Sequence, residues 1–419
     1  MKITRREWLG CAIAGSFVTV TGVRRAAAQT IDLELVARRV GNAIKEFEAQ
    51  GFHRTGTAVD NASGDWLAEQ VRQAGLSPSL EPFSLSRVDP ITSTLLVGGR
   101  TIEGVPLFDA AFTDAQGISG RLGTPDANSE IVLTQTAVNV AGAGPLGEVR
   151  RAGRCKGIVA VTQGRRPGLC PSNADSFQQP FGPPVLQVSS EEAAWLTSQA
   201  KLGANVTLIT HVARTSVTAN NIVASIQGAD PALAPLVIMT PRSGWYWCAS
   251  ERGGGIAIWL EAIRALRPMR PQRSILFVAS SGHELGHAGI NAYIERRPGI
   301  VKQAVGWLHL GANIGAAIQP STTLQASDDE FDAMLTESMM ATGLSVTARA
   351  PRGRIPAGEA EAVHLGGGRY VSAIGGNELF HSIEDRGSAA IDPLVIARFS
   401  AAFSALAGNI SRVAQRPTV

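Results

Sequence analysis

The chain has 419 residues, 44% of them hydrophobic and 17% charged, with a formal net charge of +3. That composition excludes collagen-like, coiled-coil and disordered chains, and the length allows two or three domains around a large core. So small a net charge leaves no basic footprint for nucleic acid.

In chain order, the first segment is a targeting signal. Arg5-Arg6 precede the apolar run "LGCAIAGSFVTVTGV", and Arg24-Arg25 and "AAAQ" follow it. A charged start, a short apolar stretch and small residues at the end form an export signal, and the paired arginines point to the twin-arginine route. Residues 1–28 are read as this signal, with cleavage after Ala28, which places the mature protein in the periplasm or outside the cell. The apolar run is too short for a membrane span, so no membrane contact is expected after cleavage. Lys2, Arg5, Arg6, Arg24 and Arg25 against Glu7 give the signal +4, so the remaining chain is near −1 (+3 minus +4). Three cysteines remain, Cys155, Cys170 and Cys248. Cys155 and Cys170 either bridge in an oxidising compartment or stay as unpaired thiols.

From Asp32 to about Ala74 apolar residues recur every three or four positions, as in "LELVARRVGNAIKEF" and "DWLAEQVRQAGL", which predicts helices. The turn-rich "FHRTGTAVDNASG" separates them. From about 91 to 215 short β-like runs ("STLLVGG", "EIVLTQT", "GIVAVTQG", "VLQVSS") alternate with Gly/Pro/Asn loops, which predicts a β-rich insert. From Asn220 strands alternate with helices. "NIVASIQG", "PLVIMTP", "SILFVAS" and "VGWLHLG" read as strands. "GIAIWLEAIRAL", "LGHAGINAYIERR", "DDEFDAMLTESMMATG" and "PLVIARFSAAFSALAGNISRVA" read as helices. The expected fold class is α/β, with a mainly parallel mixed sheet flanked by helices. The main domain takes residues 29–95 and 219–419, and the insert takes 96–218. Sites in such sheets form beyond the strand C-termini, which brings 240–251 and 280–287 to one mouth.

Three of these segments carry a resemblance. "FHRTGTAVDNASGDWLAEQVRQAGLSPSLEPF", "SILFVASSGHELGHAGINAYIE" and "LFHSIEDRGSAAIDPLVIARFSAAFSALA" resemble the double-zinc aminopeptidase family, and the insert resembles a protease-associated domain. The resemblance implies a zinc-exopeptidase-like fold and a site of two zinc ions held by His, Asp and Glu, with a Glu as general base. The ligand positions depart from that pattern. The H-x-D becomes "TPRSGWYW", so Thr240 or Arg242 stands for the first His. Glu251 stands for the bridging Asp, His283 for the general base, and the next Asp falls on or near Gly311. Glu284 and His381 match ligand positions in kind. A two-zinc centre is therefore not expected. The cofactor is none, or a single divalent metal such as zinc held by Glu284, His381 and Glu251.

Residues 283–287 read H-E-L-G-H, the spacing of a single-zinc protease helix. Gly282, Gly286 and Gly289 punctuate it, however, and each interior glycine costs a helix about 1 kcal/mol. The remaining titratable groups suggest metal-free chemistry. His283 is a base for Ser243, Glu284 or Glu251 orients it, and His381 completes the catalytic set. Arg242 or the amides of Gly253 to Gly255 would stabilise an oxyanion, and Arg242, Trp245 and Trp247 would bind substrate. His309 and His364 are assigned to packing. The expected function is an exported hydrolase cleaving an amide, peptide or ester bond in a small-molecule or peptide substrate. A non-catalytic binding protein is the alternative, since transferrin receptor and nicastrin carry the fold without its zinc chemistry.

Overall fold

The computed structural model describes residues 32–138, 141–346 and 348–413. The signal segment therefore lies outside the described residues. Among the described residues twelve strands run in chain order: β1 Ser79–Val97, β2 Arg100–Pro106, β3 Ile118–Gly123, β4 Ile131–Ala137, β5 Gly157–Gln163, β6 Val185–Val188, β7 Asn205–Ile226, β8 Leu236–Pro241, β9 Ile275–Ser280, β10 Gly306–Leu310, β11 Ser321–Ala326 and β12 Tyr370–Gly376. The main sheet has the order β7-β9-β8-β10-β12-β11. Its inner pairs β9–β8, β8–β10 and β10–β12 are parallel, and the flanking pairs β7–β9 and β12–β11 are antiparallel. The fold is thus α/β with a mainly parallel mixed sheet.

The central strands β8 and β10 are buried along their whole length, because helices cover both faces and each residue meets an apolar layer. On one face Val40 and Ile44 of the helix Leu33–Glu48 pack with Ile256 and Ile263 of Gly253–Leu266 and Phe403 and Leu406 of Pro393–Ile410. On the other, Ile290 and Tyr293 of Ala288–Glu295 meet Val237, Trp307 and Tyr370. Local signals start the helices. Thr57 accepts from the Asp60 amide, Asp328 from Phe331, and Asp392 from Leu394 and Val395 ahead of Pro393, each satisfying an orphan donor of the first turn. The cap at Thr57 carries "AVDNASG" into the helix Ala58–Gln73, a stretch the sequence pattern assigns to a turn.

The insert has its own apolar core, including Leu95, Val159, Leu186, Leu196 and Leu208. No break in pairing separates it from the main sheet. β1 and β7 pair antiparallel from Ser79–Val223 through to Val97–Val206 and belong to both layers. The expected boundaries at 95/96 and 218/219 therefore fall inside continuous strands. Cys155, Cys170 and Cys248 are all free thiols.

Candidate active site

β8 and β9 run parallel in register, with Pro241 opposite Ser280. The segments that follow them, 242–252 and 281–287, leave the sheet edge side by side. The loops after β10 and β12 emerge at the same edge. Four non-glycine residues there hold a left-handed backbone: Cys248, His287, Asn313 and His381, with φ of 55°, 57°, 59° and 58°. Strain of this kind persists where the surroundings over-determine it, and it often marks functional sites.

Two hydrogen-bonded groups form on this edge. The first surrounds Glu284. Its Oε1 accepts from the Thr55 amide at 2.6 Å and its Oε2 from the Ser243 hydroxyl at 2.8 Å. The Ser243 oxygen in turn accepts from the amides of Gly282 (2.9 Å) and His283 (3.1 Å). Ser243 is fully buried and its proton belongs to Glu284, so the hydroxyl serves as a loop staple and is not presented to a base. The second group surrounds Glu251. Arg252 Nη2 donates to its Oε1 at 2.7 Å, and His381 Nε2 lies 3.3 Å from the same oxygen. Burial alone would raise the Glu251 pKa, but Arg252 and then His381 hold it down at about 2.

His283 belongs to a third group, which faces open space. A cavity of about 190 Å³ is lined by His283, His287, His309, Glu359, Asn173 and Asp175, among others. Glu359 Oε1 accepts from His283 Nδ1 at 2.9 Å, and Glu359 Oε2 meets His309 Nε2 at 3.2 Å. The second nitrogen of His309 takes the Ser372 hydroxyl at 2.9 Å. A carboxylate only accepts, so His283 carries its proton on Nδ1 and keeps the Nε2 lone pair. Burial and then Arg252 lower the His283 pKa, which keeps the ring neutral at pH 7. Burial acts against Glu359 as well, yet His283, His309 and His287 hold its pKa well below the ordinary range. Gly358 permits the contact: its φ is +69°, and a Cβ there would lie 2.9 Å from His309 Cε1.

This geometry revises several assignments. The partner of His283 is Glu359, not Glu284 or Glu251. Glu359 sits in "PAGEAEAV", 76 positions on, where a Gly-Glu pair is too common to serve as a signal. His309, assigned to packing, is a wall of the cavity. Arg242 is buried in an ion pair with Asp60 at 2.7 Å and does not line the His283 cavity. Trp245 is a core residue whose indole donates to Asn173 Oδ1 at 3.1 Å. Trp247 stacks edge-on to Phe52 under the Arg386 guanidinium. Neither tryptophan lines the cavity. Gly254 and Gly255 pack closely against Ile314 and Leu310, and none of Gly253 to Gly255 lines the cavity. The H-E-L-G-H string is a turn, and its helix begins at Ala288 after left-handed His287. Glu284 points away from the two imidazoles, so the single-zinc helix is absent.

The residues at the family's ligand positions do not fit two zinc ions. Thr240 donates its hydroxyl to Leu310 O, both Glu284 oxygens are taken, and Glu251 is taken by a guanidinium. Zinc needs free N, O or S donors about 2.0–2.3 Å from one point. Among the described residues no group of three or more His, Cys, Asp or Glu converges in this way.

Comparison with known proteins places the fold. No family model matches the chain. It is 24% identical over 264 residues to aminopeptidase YwaD of Bacillus subtilis, spanning 59% of this chain and 55% of that protein. It is 29% identical over 136 residues to human transferrin receptor protein 2, spanning 31% of this chain and 16% of the receptor. The matched region is thus about half the length of the first relative and much less of the second. Among solved structures, a zinc aminopeptidase from Bacillus subtilis superposes with TM-score 0.72 at 18% identity, covering 88% of this chain and 94% of the other. A peptidase M28 precursor from Shewanella amazonensis gives 0.71 at 16%, covering 92% and 97%. The resemblance to the double-zinc aminopeptidases holds at the level of the fold, and the chain has the zinc-exopeptidase architecture.

Proposed function

We propose that the protein is a hydrolase of aminopeptidase-like fold with an altered centre, in which His283 is the general base. The observation that carries this reading is the Glu359–His283 pair at the wall of an open cavity. An anionic carboxylate fixes the imidazole tautomer and leaves a neutral Nε2 lone pair for the substrate side, as in nucleophile-activating dyads. In the reaction, Nε2 takes a proton from the attacking water and the oxygen adds to the carbonyl carbon. The resulting imidazolium lies against Glu359 and returns the proton to the leaving amine or alkoxide. Asn173 supports the oxyanion: the Trp245 indole holds its Oδ1, which leaves the amide nitrogen as a donor at the cavity.

The substrate is a small molecule or peptide with an amide, peptide or ester bond, as the name of the YwaD relative suggests for the fold. Any metal is at most a single divalent ion. We also propose export by the twin-arginine route, on the strength of Arg5-Arg6 and the apolar run that follows.

The test is turnover by the purified chain on a panel of aminoacyl amides, dipeptides and esters. His283→Ala and Glu359→Gln should each lower kcat/KM at least about 100-fold, with the fold intact by circular dichroism. Turnover that survives His283→Ala at the wild-type rate would sink the assignment. Binding of panel members without turnover would favour the non-catalytic reading.

A further inference from the structure

We infer that Arg252 is the resident cation of this centre, a buried guanidinium that takes the electrostatic place of a divalent ion beside Glu251, so that the folded chain holds no zinc there. Arg252 is 1% exposed. Its Nε donates to Ser243 O at 2.7 Å and its Nη2 to Glu251 Oε1 at 2.7 Å. Its Nη1 is sealed from solvent with no partner. The residue opens the helix Gly253–Leu266, where the helix dipole disfavours a positive charge. Helix capping therefore does not account for a buried cation at this place, and its counter-charge is Glu251.

The geometry shows what the guanidinium displaces. Glu251 Oε1 and His381 Nε2 are 3.3 Å apart, a separation that two ligands about 2 Å from one ion would have. His381 Nδ1 faces Pro171 O at 2.6 Å, the backbone contact that ordinarily orients a metal-binding imidazole. Arg252 already holds the same Glu251 oxygen and adds a fixed positive charge that repels a dication. The other oxygen, Oε2, has the Cys248 thiol 3.8 Å away. The pair is framed like a ligand set, with an arginine supplying the charge.

This inference is independent of the hydrolase reading, because its test uses no substrate. The purified chain is incubated with excess zinc chloride, desalted, and analysed for zinc per chain. The expected content is below about one-tenth of an equivalent, with a melting temperature unchanged by zinc or by chelator. Retention of half an equivalent or more overturns the inference. Arg252→Gln strands Glu251 in the interior and should lower the melting temperature by roughly 5 °C or more. Adding Glu251→Gln removes the stranded charge and should restore at least half of that loss. A stable Arg252→Gln single variant overturns the inference, and so does a double variant no more stable than the single one.

Discussion

At the residue scale, the site depends on which atom each titratable group faces. His283, Glu284 and Ser243 are neighbours through the backbone, yet the imidazole turns to Glu359 while the hydroxyl and carboxylate turn to each other. His53 shows how burial sets a charge state. It stacks on Phe47 with ring centroids 3.8 Å apart, and its Nε2 is buried without a partner. Burial lowers its pKa from 6.5 to about 4. The unfolded chain therefore binds this proton first as pH falls, and stability is lost between about pH 6.5 and 4. A shift of that size costs up to about 3 kcal/mol of stability once the pH is below 4. Asp385 works in the opposite direction: burial raises its pKa to about 6, so its folded form keeps a proton, and stability falls as pH rises from 3.8 to 6. Comparing variants isolates the histidine. In His53→Gln the slope of unfolding free energy against pH between 4 and 6.5 should be lower than in the wild type by up to about 1.4 kcal/mol per pH unit, because the opposing Asp385 term is left uncompensated, and an unchanged slope would refute the assignment.

At the element scale, the helix Gly253–Leu266 docks so tightly on the sheet that its first turn has no room for side chains. A Cβ on Gly254 would lie 1.9 Å from Ile314 O, and one on Gly255 would lie 2.7 Å from Thr240 Oγ1 and 2.9 Å from Leu310 O. The close approach carries Glu251 and Arg252, just before the helix, down to the ends of β8 and β10. Gly254→Ala should therefore destabilise the protein by about 3 kcal/mol, although alanine is the better helix former, because overpacking outweighs propensity. Denaturant midpoints measure this, and a neutral or stabilising result would contradict the packing.

At the scale of the whole molecule, the insert supplies part of the site it sits above. Asn173 and Asp175 line the cavity, Ala174 N donates to Glu284 O at 2.9 Å, and Pro171 O faces His381. Arg166 of the same loop reaches Glu378 and Glu384 beside His381. Asp175 meets solvent at the cavity mouth but is ringed by protein. That partial burial, with the carboxylates of Asp109 and Glu361, raises its pKa to about 6. Because the site needs the insert seated on the main sheet, a route that exports folded chains suits it. Replacing Arg5 and Arg6 together by lysine should leave the full-length precursor in the cytoplasm, as cell fractionation would show. An undiminished periplasmic product from that variant would rule the route out.

The sequence by itself determined the fold class, because apolar period and run length are local properties. The runs of β4 to β6 and β8 to β10, the helix after Asp328 and the closing helix Pro393–Ile410 are all legible in their residues. β11 and β12 carry weaker patterns and were not, and the Thr57 cap outweighed a turn-like composition. His283, Glu251, Glu284 and His381 were legible as positions, since strand ends and the family's motifs mark them. Their partners were not. Glu359 reaches His283 across 76 positions, Thr55 reaches Glu284 across 229, and Pro171 reaches His381 across 210. Hydrogen bonds over such separations follow from how strands and loops are brought together at one sheet edge, and no local pattern encodes them. Tertiary structure alone decided that Ser243 is a staple, that Arg242 is a buried ion pair, and that His283 faces Glu359.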